Sequence, residues 1–436
     1  MSSERMHDAI AVGCGPSNLS LAALATEISG FDLLVLERND SMSWHPGLMV
    51  PDAALQVSPV KDLVSLVSPT NPYSFLNYLV SSGRIYRSLI ASRTTVSRRE
   101  FEQYYAWAAE RLDSIRFGQQ TWSVERAPRG FRVHAGDETH LARSLVLGVG
   151  QRPRVPSFAR NHLGADVFHA VDYLRAPRRT AGRRVLVVGG GQSAAEVVRH
   201  LLGGDRSALP GCLVWAPGRL GLPPLDDSPF SNDWFTPQAV RYFHELDDKE
   251  RAQLLDSQRY ASDGVSAGLL DDIYRRLYEL DYLEPGEFDH AILPGHRLVG
   301  LTRGTSGYQA LVAGTAPGNE ATLDVDTVVL ATGFEPYVPS FLAPLLADLP
   351  LNDDGTFRTR LDYSLDRAGS DGGQIYVQNA ARHSHGVADP NLSLSAWRSA
   401  TILNALVGEP VFKTDGYASA LALGPGAEGL VPEGSG

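Results

Sequence analysis

The chain has 436 residues, of which 43% are apolar and 20% charged, a globular composition too apolar for intrinsic disorder. At roughly 150 residues per domain, this length allows about three domains, or two with one split by an insertion. Its 39 basic and 50 acidic side chains leave a net charge of −11, which argues against nonspecific binding to nucleic acid or an anionic membrane. Two cysteines, Cys14 and Cys212, exclude a disulfide scaffold and a Cys-rich zinc module.

No stretch approaches 18 uninterrupted apolar residues, so no membrane-spanning helix is expected. The polar start, residues 1–7, gives way at once to an apolar run at 9–12. A cleaved leader would remove that run, and the expectation is a cytoplasmic protein.

Residues 9–12 read as a strand, Gly13-Cys14-Gly15-Pro16-Ser17-Asn18 as a glycine turn, and the apolar run from Leu19 as a helix. A second strand at 33–36 ends in Glu37. This is a βαβ unit in which glycines let the backbone approach a pyrophosphate and the helix N-terminus favours its charge. Glu37 stands where an acid bonds a ribose hydroxyl. Ser144 to Gly150 has the shape of a further strand running into glycines.

The same grammar recurs mid-chain. A strand at 184–188 runs into Gly189-Gly190-Gly191-Gln192-Ser193-Ala194, then a helix, then a strand at 213–215. Two such turns, each between a strand and a helix, point to two dinucleotides. No acid follows the second unit's second strand. Arg219 stands there instead, which suits a 2′-phosphate and favours NADP(H) over NAD(H).

The pattern then turns helical. Thr236-Pro237 predicts a capped helix over 238–246, and 247–258 a second. Ser266 opens a third, with Leu269, Leu270, Ile273, Leu277 and Tyr278 on one face. Residues 326–334, Asp-Thr-Val-Val-Leu-Ala-Thr-Gly-Phe, read as another strand entering a glycine turn. The expected fold is α/β, two Rossmann-like dinucleotide-binding domains with a small helical substrate segment. The first domain comprises 1–160 and is completed by 325–424. The second is an insertion, 161–324, with the helical segment at about 226–300. Residues 425–436 form a disordered tail.

The chain also carries Trp44-His45-Pro46-Gly47, Lys61-Asp62-Leu63, Gly191-Gln192-Ser193-Ala194-Ala195-Glu196, Asn232 and Asp389-Pro390-Asn391-Leu392-Ser393. Together with the first glycine turn and the 326–334 block, these resemble the microbial flavin-dependent N-hydroxylating monooxygenases over about residues 8–410. The His383 and Pro390-Asn391 blocks look more like the lysine and diamine branch than the ornithine branch.

That resemblance implies FAD bound by Gly13, Gly15, Pro16, Ser17, Asn18 and Glu37, with Trp44, His45 and Gln56 against it. It implies NADPH at Gly189, Gly191, Gln192, Ser193 and Arg219. Thr332 and Gly333 would complete the cofactor-binding set. Lys61, Asn232, Ser262, Asn391 and Ser393 would bind the substrate, although Ser262 departs from the ornithine branch, which has Asn there. The implied reaction is hydroxylation of the terminal amine of L-lysine by O2 through a C4a-hydroperoxyflavin, in siderophore or related biosynthesis. It calls for no catalytic side chain and no metal. A diamine or L-ornithine is the alternative substrate, and a non-catalytic flavin or NADPH sensor the alternative of another class. A homo-oligomer, dimer or tetramer, is expected, with a small-molecule amine as the other partner.

Overall fold

The computed structural model describes residues 5–423 apart from 52, 92–95, 176–179, 317, 367–372, 418 and 422. The tail expected at 425–436 lies outside the described residues.

The first sheet is built on β1 (Met6–Val12), β2 (Leu33–Leu36), β3 (Ile115–Arg116), β4 (Thr121–Ala127), β5 (Gly130–Ala135) and β6 (Glu138–Leu147). Its order is β3-β2-β1-β6-β5-β4, parallel from β3 to β6 and antiparallel beyond. β1 begins three residues earlier than expected, because Met6 and His7 pair with Leu141 and Ala142. β1 and β2 are buried almost throughout, so they read as continuous apolar runs. Helix α1 (Pro16–Ala25) follows β1 and is buried from Asn18 to Ala25. Helices α2 (Phe75–Ser81), α3 (Ile85–Ala91) and α4 (Arg98–Ala109) come between β2 and β3. Phe75, Tyr78, Phe101, Tyr104 and Tyr105 of α2 and α4 pack ring against ring in the core.

β7 (Arg152–Pro153) leads out of this unit, and β16 (Phe334–Glu335) leads back, the two paired antiparallel. Between them lies a parallel sheet of order β11-β10-β9-β15-β8: Asp289–Ile292, Cys212–Ala216, Arg184–Val188, Thr327–Leu330 and Val167–His169. Helix α5 (Gln192–Leu201) follows β9. A meander of β12 (Arg297–Arg303), β13 (Tyr308–Ala313) and β14 (Glu320–Val325) packs on this sheet.

β15 differs from expectation. The boundary set at 325 assigned it to the first unit, whereas it pairs with β9 and β8. Asp326 fastens it there by accepting bonds from the Arg184 backbone (2.9 Å) and guanidinium (2.7 Å). The first sheet is completed instead by β17 (Ile375–Val377), parallel to β6.

Helices α6 (Pro229–Asn232), α7 (Pro237–Glu245), α8 (Asp248–Ser257), α9 (Arg259–Asp263) and α10 (Ala267–Tyr282) fill the span from β10 to β11. Thr236 caps α7 as expected, and Asp247 with Glu250 forms a capping box on α8. α10 buries Ile273, Leu277 and Leu280. Tyr278, expected on that face, is 52% exposed. The short α11 (Arg382–His385) packs on α7, and the buried α12 (Ser395–Val407) packs on α1. No described helix is long and apolar enough to cross a membrane.

Candidate functional site

Both glycine turns sit at the carboxyl ends of the central strands, where open α/β sheets bind ligands. Gly13 has φ +89, and a Cβ there would lie 2.6 Å from the Gly148 carbonyl. Gly189 has φ +133, and a Cβ there would lie 2.1 Å from that of Ala331. The first glycine of each turn is thus imposed by the neighbouring strand. The second is different. A Cβ on Gly15 meets nothing closer than 4.0 Å, and one on Gly191 meets nothing at all. Each caps a helix N-terminus without a side-chain cap, leaving a cradle of free N–H groups that suits a pyrophosphate.

Around the first turn the polar groups are locked. The buried Asn18 donates to the carbonyls of Val12 (3.2 Å) and Gly13 (2.8 Å) and accepts from Gln378 (2.7 Å). Arg398, only 2% exposed, donates to Gln378 (3.2 Å), to Asp389 (3.2 Å) and to the Ser17 hydroxyl (2.9 Å). Glu37 accepts from the Cys14 N–H (2.7 Å) and the Asn39 amide (2.7 Å). Cys14 is a filler of the turn. Burial, and then the Glu37 charge, push its thiol up to about 12. Trp44 packs edge-on to Tyr105 at 5.3 Å and against the His45 ring at 5.6 Å.

The second turn faces a cleft of about 1180 Å³ whose lining includes Gln56, Gln192, Glu196, Ser266 and Arg275. Ser193 is half-buried in the first turn of α5. Arg219 follows β10 as expected, and its guanidinium donates to the Asp263 carbonyl at 3.0 Å. Thr332 bonds the Arg154 carbonyl, while the Gly333 carbonyl takes bonds from the Arg154 N–H (2.9 Å) and His169 (3.0 Å). Both residues therefore lie at the crossing between the two units.

Three of the five expected substrate residues come together. Lys61 Nζ donates to the Ser393 hydroxyl at 3.0 Å, and Asn391 Oδ1 accepts from the Ser393 N–H at 2.8 Å. The Lys61 loop is pinned by Asp62, which accepts from the N–H groups of Val64, Ser65 and Phe75 and from the Ser65 hydroxyl. Burial raises the Asp62 pKa against the pull of those bonds. Burial likewise lowers that of Lys61.

Asn232 is exposed and bonds the Asp227 carbonyl at 2.8 Å. Ser262 joins a separate cluster, donating to Asp263 (3.0 Å) and accepting from Arg382 (3.0 Å). His385 is structural: buried, stacked at 4.1 Å on Tyr363, and held neutral with its pKa lowered to about 3 by burial. No cluster with metal-ligating character occurs among the described residues.

Sequence reasoning missed Arg398, Gln378, Asp389 and Arg98 as site residues. One signal was available for Arg398: a lone cation in the otherwise uncharged Ser395–Val407 helix must be paired if it is buried.

Two glycine turns, each between a strand and a helix, stand on two sheets, the second inserted in the first, which is the layout of a protein that binds two dinucleotides. The model of the L-lysine 6-monooxygenase/L-ornithine 5-monooxygenase family matches residues 5–336. The chain is 38% identical over 408 residues to the L-lysine N6-monooxygenase of Escherichia coli, spanning 93% of this chain and 95% of that one. It is 30% identical over 414 residues to the putrescine N-hydroxylase of Shewanella oneidensis, spanning 92% and 81%. The FAD-bound cadaverine monooxygenase of Erwinia amylovora superimposes with TM-score 0.89 at 29% identity, covering 96% of this chain and 98% of that one. The chain belongs to the L-lysine 6-monooxygenase/L-ornithine 5-monooxygenase family, and it is an enzyme of the flavin-dependent N-hydroxylating class.

Proposed function

We propose that the enzyme hydroxylates the terminal amine of L-lysine, with FAD at the Gly13–Asn18 turn and NADPH at the Gly189–Ala194 turn, in siderophore or related biosynthesis. The observation that carries the substrate is Lys61. It is a half-buried cation on a loop fixed by a buried carboxylate, with its ammonium bonded to Ser393. A fixed cation attracts an amino-acid carboxylate and repels the second ammonium of a diamine. The 38% identity to a lysine enzyme points the same way.

The two nucleotides, with O2, would supply the oxygen atom that the amine takes up. The protein supplies position and dryness. Ser17 and the free N–H groups of α1 would hold the pyrophosphate end of FAD, with Asn18 fixing the turn from beneath, and Glu37 would take its ribose. Gln192 and Ser193 hold NADPH at the start of α5, with Arg219 for the 2′-phosphate. Lys61, with Ser393 and Asn391, would orient the substrate carboxylate. A lysine amine of pKa ~10.4 must shed its proton to react, at a cost of about 4.6 kcal/mol at pH 7. Desolvation lowers an amine pKa and supplies much of this.

A diamine is the second reading. It is favoured by the 30% identity to a putrescine N-hydroxylase and the likeness to a cadaverine monooxygenase. The test incubates the purified enzyme with FAD, NADPH and each of lysine, ornithine, cadaverine and putrescine, and reads hydroxylamine by mass. Lysine is expected to lead by at least about tenfold, the factor of one 1.4 kcal/mol contact. A tenfold lead for a diamine overturns the lysine assignment, and peroxide alone with all four overturns the amine.

A further inference from the structure

The Gly191-to-Glu196 block ends in an acid that no nucleotide contact explains. Glu196 is 3% exposed on α5 of the second unit, and its carboxylate is gripped by Arg98 of α4 in the first unit, at 2.8 Å and 2.9 Å. The same carboxylate accepts from Gln192 Nε2 at 2.9 Å. An amide with its nitrogen so held must point its oxygen the other way. Gln192 Oε1 indeed accepts from the Ser266 N–H (2.9 Å), the Ser266 hydroxyl (3.2 Å) and Gln56 (3.3 Å).

Gln56 and Arg98 belong to one backbone clamp, because the Leu55 N–H bonds the Val96 carbonyl and the Arg98 N–H bonds that of Ala53. Ser266 stands at the N-cap of α10, but its hydroxyl makes no cap bond. Its partners are Gln192 and Gln56 instead. The chain Arg98, Glu196, Gln192, Ser266 and Gln56 thus joins the first unit, the start of α5 and the helical segment, and all but Arg98 line the cleft.

We propose that Glu196 is a positioning residue for hydride delivery: paired with Arg98, it orients Gln192 and sets the angle at which the NADPH turn meets the flavin unit. A buried ion pair suits this role because it specifies one geometry, where apolar packing tolerates several. The inference rests on the assignment of FAD and NADPH to the two turns.

Glu196→Gln and Glu196→Asp are compared with the parent in two measurements. In protein free of nucleotide, hydrogen exchange at the Ser266 N–H, which bonds Gln192, is expected to rise about tenfold in Glu196→Gln, the loss of one hydrogen bond to a charged group. In the flavin-loaded enzyme, flavin reduction by NADPH is expected to slow by about tenfold or more, while dithionite still reduces the flavin fully. Glu196→Asp, which keeps the charge, is expected to recover a part of both. Exchange and reduction within twofold of the parent in Glu196→Gln would overturn the proposal. If Glu196→Gln does not fold, Gln56→Leu, altered at an exposed side chain, decides the matter. A slowing of reduction by about threefold supports the chain of contacts, and an unchanged rate overturns it. A parent enzyme that binds no flavin would instead sink the cofactor assignment on which the proposal rests.

Discussion

The two nucleotide turns share a backbone and differ in their surroundings. At the first, Asn18, Gln378, Arg398, Ser17 and Asp389 form a buried network that ties residues some 380 positions apart in sequence. At the second, the polar contacts line an open cleft of about 1180 Å³, and the cation placed for the ligand, Arg219, rests on a backbone carbonyl. A fully satisfied buried network is rigid and costly to disturb, which suits a cofactor that stays. An open cleft with half-exposed side chains suits one that binds and leaves at each turnover. The difference teaches that one glycine motif can stand in a closed polar network or at an open cleft, so the motif alone does not fix how readily a nucleotide bound there would exchange.

The largest effect that could break this comparison is expected at Arg398. Arg398→Met leaves the buried Asp389 carboxylate unpaired, a loss of about 3–5 kcal/mol. Thermal unfolding is expected at a markedly lower temperature, with less than full flavin occupancy. A variant as stable and as yellow as the parent would show that the first turn is not held by this network. The glycines come next. Gly13→Ala is expected to cost about 1–3 kcal/mol of stability from its positive φ, with the contact to Gly148 adding to it. Gly15→Ala and Gly191→Ala meet open space, so they are expected to fold normally. Gly15→Ala then loses flavin, and Gly191→Ala raises KM for NADPH with flavin intact. Flavin loss from the Gly191 variant would erase the distinction between the turns.

Local chemistry was legible and distant pairing was not. Both glycine turns follow from the spacing of strand, glycines and helix, and the Thr236 cap from a residue adjacent to the helix it starts. The return of 375–377 to the first sheet was not legible. Three residues carry no periodicity, and the 326–330 run, apolar and followed by glycine, offered a stronger strand signal that the second sheet in fact uses. Four of the five expected substrate residues stood in family blocks and Ser262 departed from the pattern, but only their hydrogen bonds reveal that Lys61, Asn391 and Ser393 form one cluster while Ser262 sits in another with Arg382.

Lys61 sharpens the comparison on the substrate side. Lys61→Met removes a charge-assisted bond worth about 1.5–3 kcal/mol, so KM for lysine is expected to rise about 10- to 150-fold, with little change for cadaverine. An equal loss for both substrates would assign Lys61 to the fold rather than to the carboxylate. Arg219→Ala is expected to cut the preference for NADPH over NADH by about tenfold, a cost of about 1.4 kcal/mol. An unchanged ratio would leave the 2′-phosphate to a cation that lines the cleft, Arg199 or Arg275.

The smallest expected effect is a shift with pH, and its sign follows from burial. Desolvation lowers the Lys61 pKa below its ordinary value of 10.5. The folded protein therefore bears the cost of a half-buried ammonium at neutral pH and is relieved of it as pH rises through the lowered value. Lys61 adds stability in that alkaline window, where an ordinary surface lysine adds none. Binding runs the opposite way, because the neutral amine no longer attracts a carboxylate. KM for lysine is expected to rise on the alkaline side, before free lysine side chains titrate, and KM for cadaverine is expected not to follow. Lys61→Arg keeps its charge at any accessible pH and is expected to flatten that rise. If the rise persists in Lys61→Arg, the titrating group belongs to the substrate or to the cofactor site, and the carboxylate is held elsewhere.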